Sequence, residues 1–231
     1  MIEHVFRRTS MCRKIAEVCV ATCDEEIKAA VENFGGRVIM TSAAHERASD
    51  RIAEAAEQIQ ADIVVMVQGD EPMVTPEMIS AAVAPMLEDR SIGCVNLVHR
   101  ITCSEDYLDP NTIKVVMNAA SDALYFSRAP IPAINSTHLD RVSVFKQVCV
   151  IPFRRDFLRK FAELAPTPLE RTESIDMLRV LEHGLRVRLV QTQVETHAVD
   201  TLEDLRLVEA LMQSDPLVPA YRQQTARAEA R

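Results

Sequence analysis

The 231 residues are 48% apolar and 26% charged, which suits a globular α/β fold with an ordinary core. Thirty-four acidic against 26 basic residues leave a net charge of −8, which argues against a general nucleic-acid surface. An anionic small substrate stays open, because a bound metal ion inverts the local field. No apolar run reaches the roughly 20 residues of a membrane span, and the six cysteines contain no Cys-x-x-Cys pair for a zinc site. The expected setting is cytoplasmic, with reduced thiols and no membrane or nucleic-acid partner.

The start, from Met1 to Ile15, reads as a helix with Ile2, Val5 and Phe6 among basic residues. Glu17 to Thr22 reads as a strand, and Asp24 is placed to cap a helix from Glu25 to about Phe34, which Gly35-Gly36 ends. Arg37 to Thr41 reads as the next strand. Between Glu46 and Gln60, Ile52, Ala53, Ala56 and Ile59 form a helical stripe. The run from Asp62 to Gln68 reads as a strand buried on both faces, stopped by Gly69 and followed by Asp70 and Glu71. Thr75, Pro76 and Glu77 are a helix start. Strand and helix alternate through short connections, so the expected architecture is a three-layer α/β fold with a mostly parallel sheet.

Beyond this point the pattern changes. Ile92–Ile101, Thr112–Asn118, Ala123–Ser127 and Phe145–Phe153 are all strand-like, with a break at Asp109-Pro110-Asn111 and another at Ala129-Pro130-Ile131-Pro132 leading into a polar loop. Strands joined without helices predict antiparallel additions. A helix from about Arg155 to Leu164 follows, then a second helical run after Pro166 and Pro168, closed by Gly184. Arg186–Gln193 and His197–Asp200 read as strands, and Thr201 as the cap of a helix from Leu202 to about Gln213. The whole reads as one domain over residues 1–215, with a polar, frayed tail over 216–231. Five glycines are too few to write a phosphate-binding loop.

Ligands of open α/β sheets bind beyond the carboxyl ends of the strands. Asp70 and Asp200 are candidates for that edge, and two carboxylates there suit Mg²⁺, which fills its octahedron with waters and phosphates. Taken singly, Asp70 can equally be an acidic turn and Asp200 a helix cap. Arg128 ends a strand and can clamp a carboxylate or phosphate, or form a surface salt bridge. Asp50 and Arg51 read either as a solvated pair or with Arg51 reaching a nucleotide. Glu170, Glu173 and Asp176 recur at helical spacing, as on an exposed acidic face.

Several segments, in order, resemble one family: Val67-Gln68-Gly69-Asp70-Glu71-Pro72, Asp109-Pro110-Asn111 with Lys114, Leu124 to Pro132, Pro168-Leu169-Glu170 and Val199 to Leu205. Together they are similar to the 3-deoxy-manno-octulosonate cytidylyltransferases, or CMP-KDO synthetases. The resemblance implies a nucleotide-diphospho-sugar transferase fold and Mg²⁺-dependent transfer of a cytidylyl group. CTP and a 2-keto sugar acid, KDO or a relative, give the CMP-sugar and pyrophosphate for lipopolysaccharide or capsule synthesis. It implies that Asp70 and Asp200 hold the metal and carry catalysis, that Arg51 and Gln68 bind the nucleotide, and that Arg128, Glu170 and Asp176 bind the sugar. It further implies a homodimer formed through residues of about 92–153. The family's opening strand and phosphate-gripping loop have no counterpart here, so the central strand is expected to face an unpaired edge, with poor solubility. The alternatives are an inactive relative serving as a binding or interaction protein, and a transferase for another sugar.

Overall fold

The computed structural model describes residues 1–134, 139 and 142–222. The polar loop expected after Pro132 falls largely on residues outside this set, as does the tail from 223 onward. Strands β1 (Cys19–Thr22) and β2 (Arg37–Met40) form a parallel pair on either side of helix α2 (Glu25–Asn33). Asp24 caps α2 by accepting from the backbone N–H of Glu26 (2.8 Å) and Ile27 (3.0 Å), and Gly35 leaves it at φ +76°, where a Cβ is strained. Helix α3 (Ala48–Ala56) leads into β3 (Ile63–Val67). Helix α4 (Pro76–Glu88), begun by Thr75 and Pro76 as expected, leads into β4 (Val95–Arg100). A short helix α5 (Ser104–Leu108), not anticipated from the sequence, precedes β5 (Lys114–Met117) and β6 (Ala123–Ser127).

The stretch expected as one strand over 145–153 is two, β7 (Phe145–Val148) and β8 (Val150–Arg154), broken at Cys149. The cause is a side chain: the Cys149 N–H leaves the ladder and donates to Glu71 Oε1 at 3.2 Å. Above the break β7 pairs with β4 and β5; below it β8 pairs antiparallel with β3. An antiparallel bridge between Cys94 and Phe153 ties β8 to β4, so β3 runs parallel to β4. Beyond β4 lies β9 (Arg188–Thr192), parallel to it. The parallel pairs β1–β2 and β4–β9 carry the α/β part, and antiparallel pairing supplies the rest.

Alternation along the strands builds the layers. Met66, Val98, Ile151 and Phe153 face one core with Ala53 and Ala56 of α3 and Phe161 of α6 (Arg155–Glu163). Val65, Val67, Leu97 and Val150 face the other core, with Val5 of α1 (Ile2–Ser10) and Met78, Ile79 and Ala82 of α4. The second helical run is broken into α7 (Pro168–Glu173) and α8 (Met177–Glu182) by Ser174 at φ 58°. Helix α9 (Leu202–Gln213) starts at Thr201 as expected.

Three expectations are corrected. His197–Asp200 is not a strand; the segment is irregular and joins the sheet edge through Val199 N–H donating to Asp70 O at 2.9 Å. The tail is not frayed over its whole length. Residues 217–222 are helical because Tyr221 is buried and bonds His4 Nδ1 at 2.5 Å, beside an Arg8–Asp215 ion pair. Finally, β3 is not buried on both faces: only Met66 is fully covered. The reason is that β3 has one neighbouring strand, β8, among the described residues. Among the described residues β3 pairs with β8 and β1 with β2, and residues of both line one cavity of about 620 Å³.

Candidate active site

At the carboxyl end of β3 the chain turns through Gly69 into Asp70 and Glu71. Glu71 is 3% exposed, and both its oxygens are used: Oε1 by Cys149 N–H, and Oε2 by Thr196 Oγ1 at 2.8 Å. It therefore ties the end of β3 to the β7–β8 break and to the segment that delivers Asp200. Burial pushes its pKa up, against those two hydrogen bonds. Asp70 differs in kind. Its Oδ1 is buried with no hydrogen-bond partner, and burial, helped by the charge of Asp200, raises its pKa. A carboxylate removed from water without a partner is unfavourable, and a cation is the group that would satisfy it.

Asp200 is brought to Asp70 by the Val199–Asp70 backbone bond, and α9 secures it from the other side. Asp204 Oδ2 accepts from Asp200 N–H (3.2 Å) and Thr201 N–H (2.8 Å), and Thr201 Oγ1 accepts from Asp204 N–H (3.2 Å). Asp200 is not itself the cap. Burial raises its pKa, the carboxylates of Asp204 and Asp109 add to the rise, and Arg128 opposes it. Asp200 thus acts on Asp70, and Asp109 and Arg128 act on Asp200. Among the described residues no group of three or more His, Cys, Asp or Glu side chains is gathered as a metal cage; the acids form a pair, which fits a cation that keeps waters or phosphate oxygens.

Arg128 is positioned rather than loose. Its Nε donates to Glu173 O (2.6 Å), its N–H to Glu173 Oε2 (2.8 Å) and Nη1 to Pro110 O (3.0 Å). Beneath it Lys114, fully buried, donates from Nζ to the carbonyls of Asp109 (2.7 Å), Thr112 (2.6 Å) and Arg128 (2.6 Å); burial lowers its pKa. The Lys in the Asp109–Lys114 segment was the available signal for this staple, but spacing does not reveal that three carbonyls converge on it. Gln68 directly follows β3, its N–H donating to Cys149 O at 3.2 Å.

The other three candidates sit elsewhere. Arg51 donates from Nη1 to Thr41 Oγ1 (2.6 Å) and Ser42 O (3.2 Å), and from Nη2 to His45 O (3.3 Å), bracing the turn after β2. Asp50 and Arg51 are no pair, since Asp50 takes Arg179 at 2.7 and 3.0 Å. Glu170, far from lying on an exposed face, is 1% exposed and is bound by Arg179 at 2.6 and 2.8 Å. Burial opposes the charge of Arg179, yet hydrogen bonds to Glu170 and Asp50 push its pKa up, and its guanidinium lies 4.5 Å from the Phe161 ring centroid. Asp176 accepts from Ser49 N–H (3.1 Å) and Oγ (2.7 Å); burial raises its pKa despite those bonds and the nearby Arg47. The two clusters flank Cys149, whose thiol pKa is raised by burial first and then by Glu71, Asp70, Asp176 and Asp200.

A mixed α/β sheet carrying an acid pair and an arginine at its strand ends has the design of a nucleotidyltransferase. The cytidylyltransferase family matches residues 1–223, and the chain belongs to that family. It is 48% identical over 221 residues to the 3-deoxy-manno-octulosonate cytidylyltransferase of Geobacter metallireducens, covering 91% of this chain and 87% of that one. The enzyme of the same name from Solibacter usitatus is 41% identical, over 94% of this chain and 86% of its own length. Among solved structures, a CMP:2-keto-3-deoxy-manno-octonic acid synthetase complexed with CTP superimposes with a TM-score of 0.83 at 37% identity, over 92% of this chain and 87% of that one. A 4-diphosphocytidyl-2C-methyl-D-erythritol synthase from Anaerococcus prevotii shares the fold alone, at 16% identity and a TM-score of 0.60, over 92% of this chain and 88% of its own.

Proposed function

We propose that this chain transfers a cytidylyl group from CTP to the 2-keto sugar acid KDO, giving CMP-KDO and pyrophosphate for lipopolysaccharide or capsule synthesis. The anomeric hydroxyl oxygen of the sugar forms the new bond to the α-phosphorus, and the bond from that phosphorus to the bridging oxygen of pyrophosphate breaks. The observation that carries this reading is the buried, unpartnered Asp70 Oδ1 beside Asp200, in a chain 37% identical to a synthetase bound to CTP. Asp70 and Asp200 are the residues to hold Mg²⁺, which when bound supplies neutralisation of phosphate charge and a lowered pKa for a bound hydroxyl. Arg128, held by Glu173 and Pro110, offers its cation to the sugar carboxylate or a phosphate. Arg51 and Gln68 belong on this reading to the nucleotide side. Glu170 and Asp176 act through the helices they bind, shaping the sugar side rather than touching it.

The reading includes a cytoplasmic homodimer formed through residues of about 92–153, and no helix among the described residues is long and apolar enough to cross a membrane. Pyrophosphate release from CTP, KDO and MgCl₂ tests the activity, with UTP and other sugar acids as comparison substrates. No release, together with no binding of CTP, overturns it. The open cavity beside Gly69 favours a second reading, in which the chain alone binds CTP without turnover; binding without pyrophosphate release distinguishes it.

A further inference from the structure

Arg128 is held in place by groups that leave its charge in force. Its guanidinium donates from Nε to Glu173 O (2.6 Å) and from Nη1 to Pro110 O (3.0 Å), both neutral carbonyls. Among the described residues it forms no ion pair, and Nη2 has no protein partner. A carboxylate nevertheless stands beside it, on the same Glu173 that supplies one of those carbonyls. An arginine next to a carboxylate commonly takes both its oxygens, as Arg179 does with Glu170 and with Asp50.

Three donors occupy the Glu173 carboxylate instead. Oε2 accepts the Arg128 backbone N–H at 2.8 Å, and Oε1 accepts Ser127 Oγ at 3.0 Å and Tyr125 OH at 3.3 Å. Ser127 is buried, and its Oγ accepts the Ala129 N–H at 3.0 Å, so its own proton is the one turned to Glu173. Burial, then the charge of Glu173 and the bond to it, push the Tyr125 phenol up, which keeps it a donor. The Glu173 carbonyl is freed by the backbone. Ser174 at φ 58° ends α7, Glu173 O is left without a helical N–H, and Arg128 Nε takes it. Arg47 Nη1 holds that turn through Ser174 Oγ at 2.5 Å, and Lys114 Nζ fixes the Arg128 carbonyl at 2.6 Å. The charge of Arg128 reaches Asp200, which sets it toward the acid pair.

We propose that Tyr125, Ser127 and Glu173 are positioning residues. The two hydroxyls hold the Glu173 carboxylate on the Arg128 backbone, so that Glu173 fixes Arg128 without neutralising it. The guanidinium then binds anionic oxygens of a substrate, a sugar-acid carboxylate or a phosphate, through Nη2. The identity of that substrate rests on the cytidylyl-transfer reading; the holding of Glu173 away from the cation does not.

The test removes the two hydroxyls. In the double variant Tyr125→Phe, Ser127→Ala the carboxylate is free to turn onto the guanidinium. The KM of one substrate is expected to rise about tenfold with kcat within about twofold, the pattern of a lost contact made equally in ground and transition states. A rise for the sugar acid with CTP unchanged gives the cation to the carboxylate, and the reverse gives it to a phosphate; either supports the proposal. Adding Glu173→Gln to the double variant is expected to bring that KM back to within about threefold of the parent, because an amide fills the space but cannot neutralise a cation. Damage to the fold is not repaired in this way. Unchanged KM for both substrates, or a rise that Glu173→Gln leaves or deepens, overturns the proposal. Tyr125→Phe alone loses only the longer bond and is expected to raise the same KM about twofold, which keeps the test open if the double variant does not fold. Crystal structures of the parent and of the variant that folds read the contact without turnover. An ion pair between Glu173 and Arg128 in the variant and not in the parent is expected; one in both, or in neither, overturns the proposal. Absence of pyrophosphate release from the parent overturns the cytidylyl-transfer reading alone, and the two structures still decide this one.

Discussion

Two acidic clusters flank the break at Cys149, and they are built on opposite principles. In the cluster of Arg47, Asp50, Glu170, Asp176 and Arg179, buried charges are matched by charge or hydrogen bond: Arg179 alone takes both oxygens of Glu170 and both of Asp50. Around Asp70 and Asp200, Asp70 keeps an unpartnered oxygen, burial and then the charge of Asp200 raise the pKa of Asp70, and burial with the carboxylates of Asp204 and Asp109 raises that of Asp200, which Arg128 opposes. The first cluster is complete and fastens α3 to α7 and α8. The second is complete only with something positive added. A saturated network marks support and an unsaturated one marks the place where a ligand binds, although both are rich in the same residue types.

The comparison is broken most directly at Asp70. On the proposed function, Asp70→Asn is expected to lower turnover about a thousandfold, since a bound cation is worth several kcal/mol of transition-state stabilisation. Pyrophosphate release measures it, and near-normal turnover removes Asp70 from the metal role. The reverse experiment is Arg179→Met. It leaves Glu170 and Asp50 without their cation, at an expected cost of about 3–5 kcal/mol in urea unfolding. A loss of sugar-acid affinity with unchanged stability would instead place this cluster in the binding site.

Glu71 lies between the two. Glu71→Leu removes the acceptor of the buried Cys149 N–H and of the Thr196 hydroxyl and is expected to cost about 1–3 kcal/mol. Because Thr196 precedes the segment carrying Asp200, its metal affinity is expected to fall too, read by Mn²⁺ titration. Unchanged metal affinity limits Glu71 to holding the fold.

The smallest effect is a pH dependence. The folded pKa of Asp70 is raised by burial and by Asp200. Its favourable contribution is therefore fully present below the unfolded value of about 3.9 and is lost as pH rises through the higher folded value. Asp70→Asn is expected to be more thermally stable than the parent at neutral pH without metal, with the gap closing as pH falls through that window. Melting curves across the acidic range check this, and a gap that widens on acidification contradicts it. Added Mg²⁺ is expected to narrow the gap at neutral pH.

Much of this layout was legible from local chemistry. Asp24, the Thr75-Pro76 start and Thr201 marked their helices because a cap acts on N–H groups two or three residues away. The alternation from Cys19 to Glu88 announced an α/β fold for the same reason. The acids at 70 and 200 were legible as a pair through the segments surrounding them. What escaped depended on distant partners. Nothing near Cys149 says that Glu71 will take its N–H and split a strand in two. The helical spacing of Glu170 and Asp176 suited an exposed acidic face until Arg179, Arg47 and Ser49 were brought against them.

The sequence by itself therefore determined the elements, their caps and the two carboxylates at the strand ends, because these follow from contacts within a few residues along the chain. Only the tertiary structure decided which acids are neutralised and which are left needing a cation, because that balance is struck across elements that the fold brings together, Arg179 with Asp50 and Glu170, and Asp70 with Asp200. It also decided that β1 and β3 stand on either side of an open slot. Whether a strand has a neighbour is a property of the sheet, and no run of residues within the strand records it.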